Sequence, residues 1–243
     1  MELEFGTRAI IGLAWARRFG LADSALQPLD TGICSERMLL PEEEADTVRF
    51  LRLMGHCVLA GPQWFLDAAA GYGDAALSEE QALLRVARDS GRAPGARGMG
   101  EATLYYLDEP MDIVGSDSVV VSHDAQHAAE LEQLCPRDDV AEVGLTGFDH
   151  HFTLLSTEDR TPLAGSGYVV GEGILADVGT LTQPGLRRHG LGSFVTAVAI
   201  DDALTQGLIP QWCAPVEHRA AHMTARTLGF VSAGSLTAMS LGS

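Results

Sequence analysis

The feature that constrains the fold most strongly lies between residues 174 and 206. It consists of a predicted strand, a basic turn with two glycines and a predicted long helix, in that order. The stretch ILADVGTLT is apolar and rich in branched residues, which is typical of a strand. Pro184 follows it, and the segment from about Leu186 to Gln206 has one apolar stripe at helical spacing. Gly207 is placed to end that helix. Alternating strands and helices predict a mixed α/β fold.

The turn itself reads Arg-Arg-His-Gly-Leu-Gly at residues 187 to 192. Unpaired N–H groups in the first turn of a helix point outward, and the helix dipole adds positive potential there. Gly190 and Gly192 let an anion approach the backbone, and Arg187 and Arg188 add charge-assisted donors. Spacing alone leaves two interpretations open. The turn either binds a pyrophosphate, or it is a basic turn whose glycines only allow close packing.

The other elements of the second half complete the predicted order β-α-β-β-β-α-β-α-β. Strands are predicted at SVVVS, HHFTLLS, LAGSGYVV, IPQWCA and FVSAGSLTAMSL, and helices at HDAQHAAELEQLC and EHRAAHMTARTLG. His150 and His151 are adjacent on a predicted strand, so they point to opposite faces and make a poor chelate. No metal is therefore expected.

The first half is also predicted to alternate strands and helices. A strand is expected near ICSERMLL, followed by a helix over PEEEADTVRFLRLMG (41–55), with Pro41 in its first turn and Gly55 after its end. A strand at HCVLAG, helices at PQWFLDAAAG and SEEQALLRVARDSG, and a strand at ATLYYLD follow. The glycine-rich residues 89–101 are predicted to be a flexible connection. Two domains are predicted, 1–110 and 111–243.

The composition of the chain limits the cellular compartment and the binding partners that can be expected. The formal net charge is −17, which argues against nucleic acid or an anionic membrane as partner and suits a cationic substrate, although acidity also serves solubility. No apolar run reaches the length of a membrane span, and the first 20 residues do not resemble a secretory signal. The four cysteines are scattered, which favours reduced thiols. A cytoplasmic protein is expected.

The sequence PGLRRHGLG matches the R/Q-x-x-G-x-G/A acyl-CoA signature of the GCN5-related N-acetyltransferase (GNAT) superfamily, with Arg187, Gly190 and Gly192 at the signature positions. Downstream, ARTLGFVSAGS resembles the corner that precedes the last strand of that family. The predicted element order matches the family fold from about residue 111 onward. The chain therefore resembles a GNAT protein with an additional N-terminal α/β half. The resemblance implies a mixed, mostly antiparallel central sheet flanked by helices.

The resemblance also implies a cofactor site for acetyl-CoA. The strand end at Thr180–Thr182 would splay from its neighbour, and a freed N–H would polarise the thioester carbonyl. The pyrophosphate would sit on N–H groups from Arg187 to Ser193, and the acceptor amine would attack the acetyl carbon directly. The cofactor-binding residues implied are Thr180, Leu181, Thr182, Arg187, Arg188, His189, Gly190, Leu191, Gly192, Ser193 and His218.

Three positions depart from the family pattern. Counted back from the Leu-Gly-Phe corner, His218 and Ala221 replace the Asn and Ser of many members, and Ala225 replaces the Tyr that protonates the leaving thiolate. His218 either reaches the cofactor or is a solvated helix residue. Cys213, Ser235 or water could act in place of the tyrosine.

An amine nucleophile is protonated near pH 7, so a base must accept a proton directly or through water. Three carboxylates are candidates: Asp177 on the predicted strand, Glu172 just before it, and Glu142 in an earlier loop. Asp177 lies one residue from the position at which the family often carries its base, so it either acts as the base or faces the wrong side of the strand.

The function predicted from this resemblance is acetyl transfer to a primary amine of a small cationic acceptor, either an amine metabolite or an aminoglycoside-like antibiotic. The alternatives are a non-catalytic acyl-CoA-binding module and a protein N-acetyltransferase. The first half contains no R-x-x-G-x-G turn, so it is predicted not to bind the cofactor, and it could be a degenerate second copy of the fold. A homodimer is a further possibility.

Overall fold

The computed structural model describes residues 2–29, 35–109 and 119–242. The chain divides into two compact units: the first comprises Met1–Thr7, Tyr106–Trp212 and His222–Val231, and the second comprises Arg8–Tyr105, Cys213–Ala221 and Ser232–Ser243. The predicted domain boundary at residues 110 and 111 lies outside the described residues. The division into domains 1–110 and 111–243 therefore stays a prediction.

The described residues form ten strands and eight α-helices. The strands are β1 (Met38–Pro41), β2 (Thr47–Leu53), β3 (His56–Gly61), β4 (Arg97–Tyr106), β5 (Val119–Ser122), β6 (His150–Ser156), β7 (Pro162–Gly171), β8 (Leu175–Thr182), β9 (Ile209–Pro215) and β10 (Val231–Ser240). The helices are α1 (Phe5–Arg18), α2 (Gln63–Ala68), α3 (Asp74–Leu77), α4 (Glu80–Asp89), α5 (Ala125–Gln133), α6 (Arg137–Val143), α7 (Leu191–Thr205) and α8 (Arg219–Thr227).

The strand pairing is mostly antiparallel. Among the pairs with a defined register, β1–β3 and β8–β9 are parallel, and the others are antiparallel. The predicted mixed α/β class with a mostly antiparallel sheet is thus confirmed.

In the first unit the strands lie in the order β5-β6-β7-β8-β9. Strands β5 to β8 form an antiparallel meander, whereas β8 and β9 are parallel and therefore need a crossover, which α7 supplies. A cluster of Ala128, Leu131, Leu145 and Leu181 packs α5 and the loop after α6 against β8. The predicted order from β5 to β10 is confirmed, and α6 is an additional helix that the sequence analysis missed.

In the second unit the strands lie in the order β1-β3-β2-β10-β4. Strand β3 is buried along its whole length. Its core cluster joins the sheet to α2 and α4, and it includes Phe50, Leu59, Phe65, Leu83 and Met239. The helices predicted at PQWFLDAAAG and SEEQALLRVARDSG are confirmed as α2 and α4, although both are shorter than predicted.

The helix predicted over residues 41–55 is wrong. Pro41 ends β1, and residues 47–53 form β2, which pairs with β3 on one side and β10 on the other. Met54 and Gly55 have φ values of 46° and 91°, so they form a two-residue hairpin turn instead of a helix end. The apolar residues of this segment fit both a helical and a strand spacing, and pairing on both sides outweighs local propensity.

The flexible connection predicted at residues 89–101 is wrong in its second part. Strand β4 begins at Arg97, and the Glu80 carboxylate lies where a Cβ on Gly98 would be, within 2.0 Å. The same carboxylate accepts a hydrogen bond from the Gly100 N–H at 2.6 Å. A long-range contact thus fixes a glycine-rich stretch whose composition suggested a loop.

Helix α1 is a further element that was not predicted from the sequence.

Three further observations concern the predicted absences. No helix within the described ranges is long and apolar enough to cross a bilayer. The described cysteines, Cys57, Cys135 and Cys213, form no disulfide. No group of three or more metal-ligating side chains is gathered in the part of the chain that the structure describes.

Candidate functional site

Strand β8 offers two different faces because side chains alternate along a strand. Thr180 and Thr182 point towards α7, since Thr180 Oγ1 lies against Thr196 Oγ1 of that helix. Gly179 and Leu181 point to the opposite face, where Leu181 joins the cluster formed with α5. We call these the helix face and the loop face of β8. The predicted cofactor residues Thr180 and Thr182 therefore share the helix face, whereas Leu181 is on the loop face.

The pairing of β8 with β9 stops halfway along the strand. The register joins Leu175, Ala176 and Asp177 to residues 209–211, and β8 continues to Thr182 beyond the last of these pairs. On its other edge β8 stays paired with β7 up to Thr182. One edge of residues 178–182 thus leaves the ladder with β9 just before the basic turn.

The basic turn has a backbone that exposes the start of α7. Pro184–Leu186 form a single 3₁₀ turn, Arg188 has a φ of 67°, and Gly190 is the N-cap residue with a φ of 82°. Helix α7 begins at Leu191, five residues later than predicted, because the left-handed conformations at 188 and 190 cannot continue a helix. No side chain among the described residues caps this N-terminus, so its first N–H groups are available to a ligand.

Gly192 lets the first turn of α7 rest directly on β8. A Cβ at this position would lie 2.8 Å from Thr182 Oγ1 and 3.6 Å from Thr180 Cγ2. Thr196 Oγ1, which lies against Thr180 Oγ1 of β8, donates to the Gly192 carbonyl one turn earlier in the same helix at 2.7 Å. The second signature glycine is therefore required by a close approach between helix and strand.

A chain of hydroxyl groups lies beneath that contact. Thr180 Oγ1 donates to Ser166 Oγ at 3.0 Å, and Ser166 Oγ donates to the Gly179 carbonyl at 2.8 Å. Ser166 and Thr196 are almost completely buried. Buried hydroxyl groups need such partners, so this network fixes β7, β8 and α7 relative to one another.

The cationic side chains of the turn differ in their partners. Arg187 Nη2 donates to Asp139 Oδ2 of α6, and its Nε donates to the Thr182 carbonyl at 3.3 Å. Arg188 and His189 are exposed. The structure thus brings together residues 180–182 and 187–193 of the predicted cofactor set. His218 lies in the exposed turn before α8, in the second unit, and its predicted role stays a prediction.

Of the three candidate bases, Asp177 lies in the middle of β8 on the loop face. Its Oδ1 accepts a hydrogen bond from Nε2 of Gln211, the residue opposite it on β9. Asp177 is half-buried, whereas Gln211 is only 1% exposed. A buried amide beside a partly accessible carboxylate fixes the carboxylate's orientation while leaving it open to a ligand or water.

The other two carboxylates lie elsewhere. Glu142 is exposed on α6. Glu172 is exposed in the tight turn before β8, with a φ of 56°. At about 3.3 Å per residue, the start of β8 at Leu175 is roughly 17 Å along the strand from Thr180, and Glu172 lies in the turn before that start. The candidate carboxylates therefore do not form one cluster, and Asp177 is the one next to the point where β8 leaves β9.

The C-terminal end of α7 is joined to β7 by side-chain hydrogen bonds. Tyr168 is fully buried and donates its hydroxyl proton to Asp202, and Gln206 Nε2 donates to both at 3.1 and 2.9 Å. Burial raises the pKa of Tyr168, and Asp202 raises that pKa further. The His150 ring stacks on Tyr168 with a centroid distance of 4.4 Å.

Helix α8 carries alanines at the two remaining positions that depart from the family pattern. Ala221 is 8% exposed and Ala225 is fully buried. A methyl group at 225 supplies no proton, so a general acid would have to come from another residue or from water. Cys213 and Ser235, the substitutes named above, lie in the second unit.

Several residues of the site were missed by the sequence analysis. Thr196 lies four residues after Gly192, a spacing at which a threonine hydroxyl reaches the preceding carbonyl, so it was detectable. Ser166, Gln211 and Asp139 come from other elements, and only strand register and helix placement bring them to the site.

No protein-family model and no curated protein matches this sequence. Solved structures similar to it include GNAT-family acetyltransferases. A putative GNAT acetyltransferase from Novosphingobium aromaticivorans is 20% identical, with 60% of this chain and 68% of that chain covered and a TM-score of 0.48. A GCN5-related N-acetyltransferase from Kribbella flavida is 16% identical, with 66% and 65% covered and a TM-score of 0.49. A tandem GNAT protein from the clavulanic acid biosynthesis pathway is 13% identical, with 66% and 58% covered and a TM-score of 0.48. In the last two, the match spans less than two thirds of the neighbour's own length.

Proposed function

We propose that this chain is an acetyl-CoA-dependent N-acetyltransferase that acetylates a primary amine of a small cationic acceptor by direct attack. One observation carries the proposal: β8 leaves its pairing with β9 directly before a basic turn that exposes the uncapped start of α7. A strand edge with free backbone groups can hold an extended amide-containing arm by strand addition. The helix start can hold a pyrophosphate.

In this proposal the cofactor runs along β8 and ends at the turn. The pyrophosphate accepts hydrogen bonds from N–H groups of residues 188–193, with Arg188 adding a charge. The pantetheine arm pairs with the free edge of residues 178–182. A backbone N–H of that edge donates to the thioester oxygen as negative charge develops on it, which stabilises the transition state.

The acceptor side of the proposal rests on Asp177. Its carboxylate, held by Gln211, accepts a proton from the attacking ammonium group directly or through one water. The amine then attacks the acetyl carbon, the carbon–sulfur bond breaks, and CoA leaves as a thiolate. The nitrogen loses its second proton, which passes through water to the thiolate, so that the products are a neutral amide and the CoA thiol. The net charge of −17 supports a cationic acceptor, such as a polyamine, another amine metabolite or an aminoglycoside.

The test has two stages. Calorimetric titration with CoA checks the cofactor site, and release of free thiol from acetyl-CoA is then followed with a panel of polyamines, aminoglycosides and peptides. Micromolar CoA affinity with turnover on a small amine supports the proposal. Absence of CoA binding would refute it.

The buried alanine at 225 favours one second candidate, a non-catalytic acyl-CoA-binding module, because this position supplies no general acid. CoA binding without thiol release on any amine would identify that case. Thiol release with peptides alone would instead identify protein N-acetylation.

A further inference from the structure

The side chain of the signature arginine is engaged by a carboxylate from a different helix. Arg187 Nη2 pairs with Asp139 Oδ2 of α6, and Arg187 Nε donates to the Thr182 carbonyl. The guanidinium therefore bridges α6 and the end of β8. Its charge is already neutralised by Asp139, in a turn where a pyrophosphate would need it.

The ion pair is open enough to exchange partners. The side chains of Arg187 and Asp139 are 45% and 29% exposed. An ion pair this accessible contributes little free energy, since water competes for both charged groups. A pyrophosphate carries more negative charge than one carboxylate and accepts the paired N–H donors of a guanidinium equally well.

We propose that Asp139 and the cofactor's pyrophosphate compete for Arg187, so that cofactor binding at the 187–193 turn releases α6 from that turn. The inference rests on the proposed function, because it takes the pyrophosphate as the ligand of the turn. Asp139 is a positioning residue: it orients Arg187 in the absence of the cofactor and is displaced from Arg187 when the pyrophosphate binds.

Helix α6 is placed to respond to this exchange. Val140 and Val143 pack against the cluster on the loop face, so two partly buried side chains and the ion pair hold the helix. Cys135 lies two residues before α6, and the charges of Arg187 and Asp139 both act on its thiol. Burial raises the pKa of Cys135, which is half-buried. The rate at which the Cys135 thiol is alkylated should therefore change when the ion pair between Asp139 and Arg187 no longer holds α6 in place.

The first experiment measures CoA affinity by calorimetry in Asp139→Asn and in Asp138→Asn. Asp138 is the exposed neighbour on the same helix, so the second variant removes the same charge without touching the ion pair. Asp139→Asn is expected to bind CoA about two- to fivefold more tightly, the range of a partly exposed ion pair. Asp138→Asn is expected to bind like the unmodified protein. In an Arg187→Gln background, Asp139→Asn is expected to change nothing.

The second experiment follows alkylation of Cys135 by iodoacetamide, read by peptide mass spectrometry to separate it from the other cysteines. CoA is expected to accelerate alkylation in the unmodified protein, while Asp139→Asn is expected to react fast with or without CoA. Equal tightening in both Asp variants would overturn the proposal, since it would reflect net charge alone. Weaker CoA binding in Asp139→Asn, or slower alkylation with CoA, would also overturn it. Failure of the unmodified protein to bind CoA would instead refute the proposed function.

Discussion

The two faces of β8 differ in the groups that they present. The helix face presents hydroxyl groups, and Gly192 lets the uncapped start of α7 rest on it. The loop face presents the Asp177 carboxylate, then Gly179, and then Leu181 in an apolar cluster. One face therefore suits an anionic cofactor at a helix start, and the other suits an amine beside a carboxylate. Changes to the two faces should have separable effects.

The largest expected effect comes from the loop face. Asp177→Asn keeps the shape of the side chain but removes the proposed base, so kcat should fall by about 10²- to 10⁴-fold. CoA affinity should not change, because the charge lies on the opposite face from Thr180 and Thr182. Steady-state kinetics and calorimetry measure the two quantities, and Glu158→Gln, in the exposed β6–β7 turn, controls for net charge. A larger loss of kcat in Glu142→Gln or Glu172→Gln would assign the base to that residue instead.

On the helix face, Gly192→Val should impair cofactor binding. Its Cβ would lie 2.8 Å from Thr182 Oγ1, so either the Thr182 side chain or the start of α7 has to shift. Overpacking of this kind costs about 1–3 kcal/mol in the free energy of unfolding. A loss of the same size in binding free energy, from displacing the turn that holds the pyrophosphate, would raise the Kd for CoA by roughly 5- to 150-fold. Gly185→Ala is the matched control, since nothing lies within 4 Å of a Cβ there. Unchanged CoA affinity in Gly192→Val would show that the helix start does not bind the cofactor.

The corresponding change on the loop face should affect stability more than binding. A Cβ on Gly179 would lie 2.7 Å from Phe148 Cζ, so Gly179→Ala should lower the free energy of unfolding by about 1–3 kcal/mol. The Kd for CoA should change less than about threefold. Urea denaturation and calorimetry test both expectations. If CoA affinity fell as strongly as in Gly192→Val, the two faces would not be separable.

The smallest expected effect concerns the hydroxyl network. Thr180→Val removes the donor to Ser166 and should lower the free energy of unfolding by about 1 kcal/mol. Thr180→Ser keeps the hydroxyl and should restore most of that loss. If Thr180→Ser were less stable than Thr180→Val, the methyl group would matter more than the hydroxyl at this position.

Local patterns predicted the second half of the chain well. Alternating and helical spacings identified β6 to β10, α5 and α8, because each of these elements has a regular apolar pattern bounded by glycine, proline or polar residues. Helix α7 was also located, although it is apolar on all sides and not along one stripe. The same approach failed at residues 47–53, where alternation and helical spacing coincide. There the pairing of β2 with β3 and β10 decides the outcome.

The sequence by itself determined the basic, glycine-bearing turn and its place between a strand and a long helix, because these depend on residues adjacent in the chain. Only the tertiary structure decided which face of β8 carries Asp177, where β8 leaves β9, and that Asp139 pairs with Arg187. Asp139 and Arg187 are 48 positions apart in the sequence, and Asp177 and Gln211 are 34 apart. Contacts over such separations follow from strand register and helix packing, which no local pattern encodes.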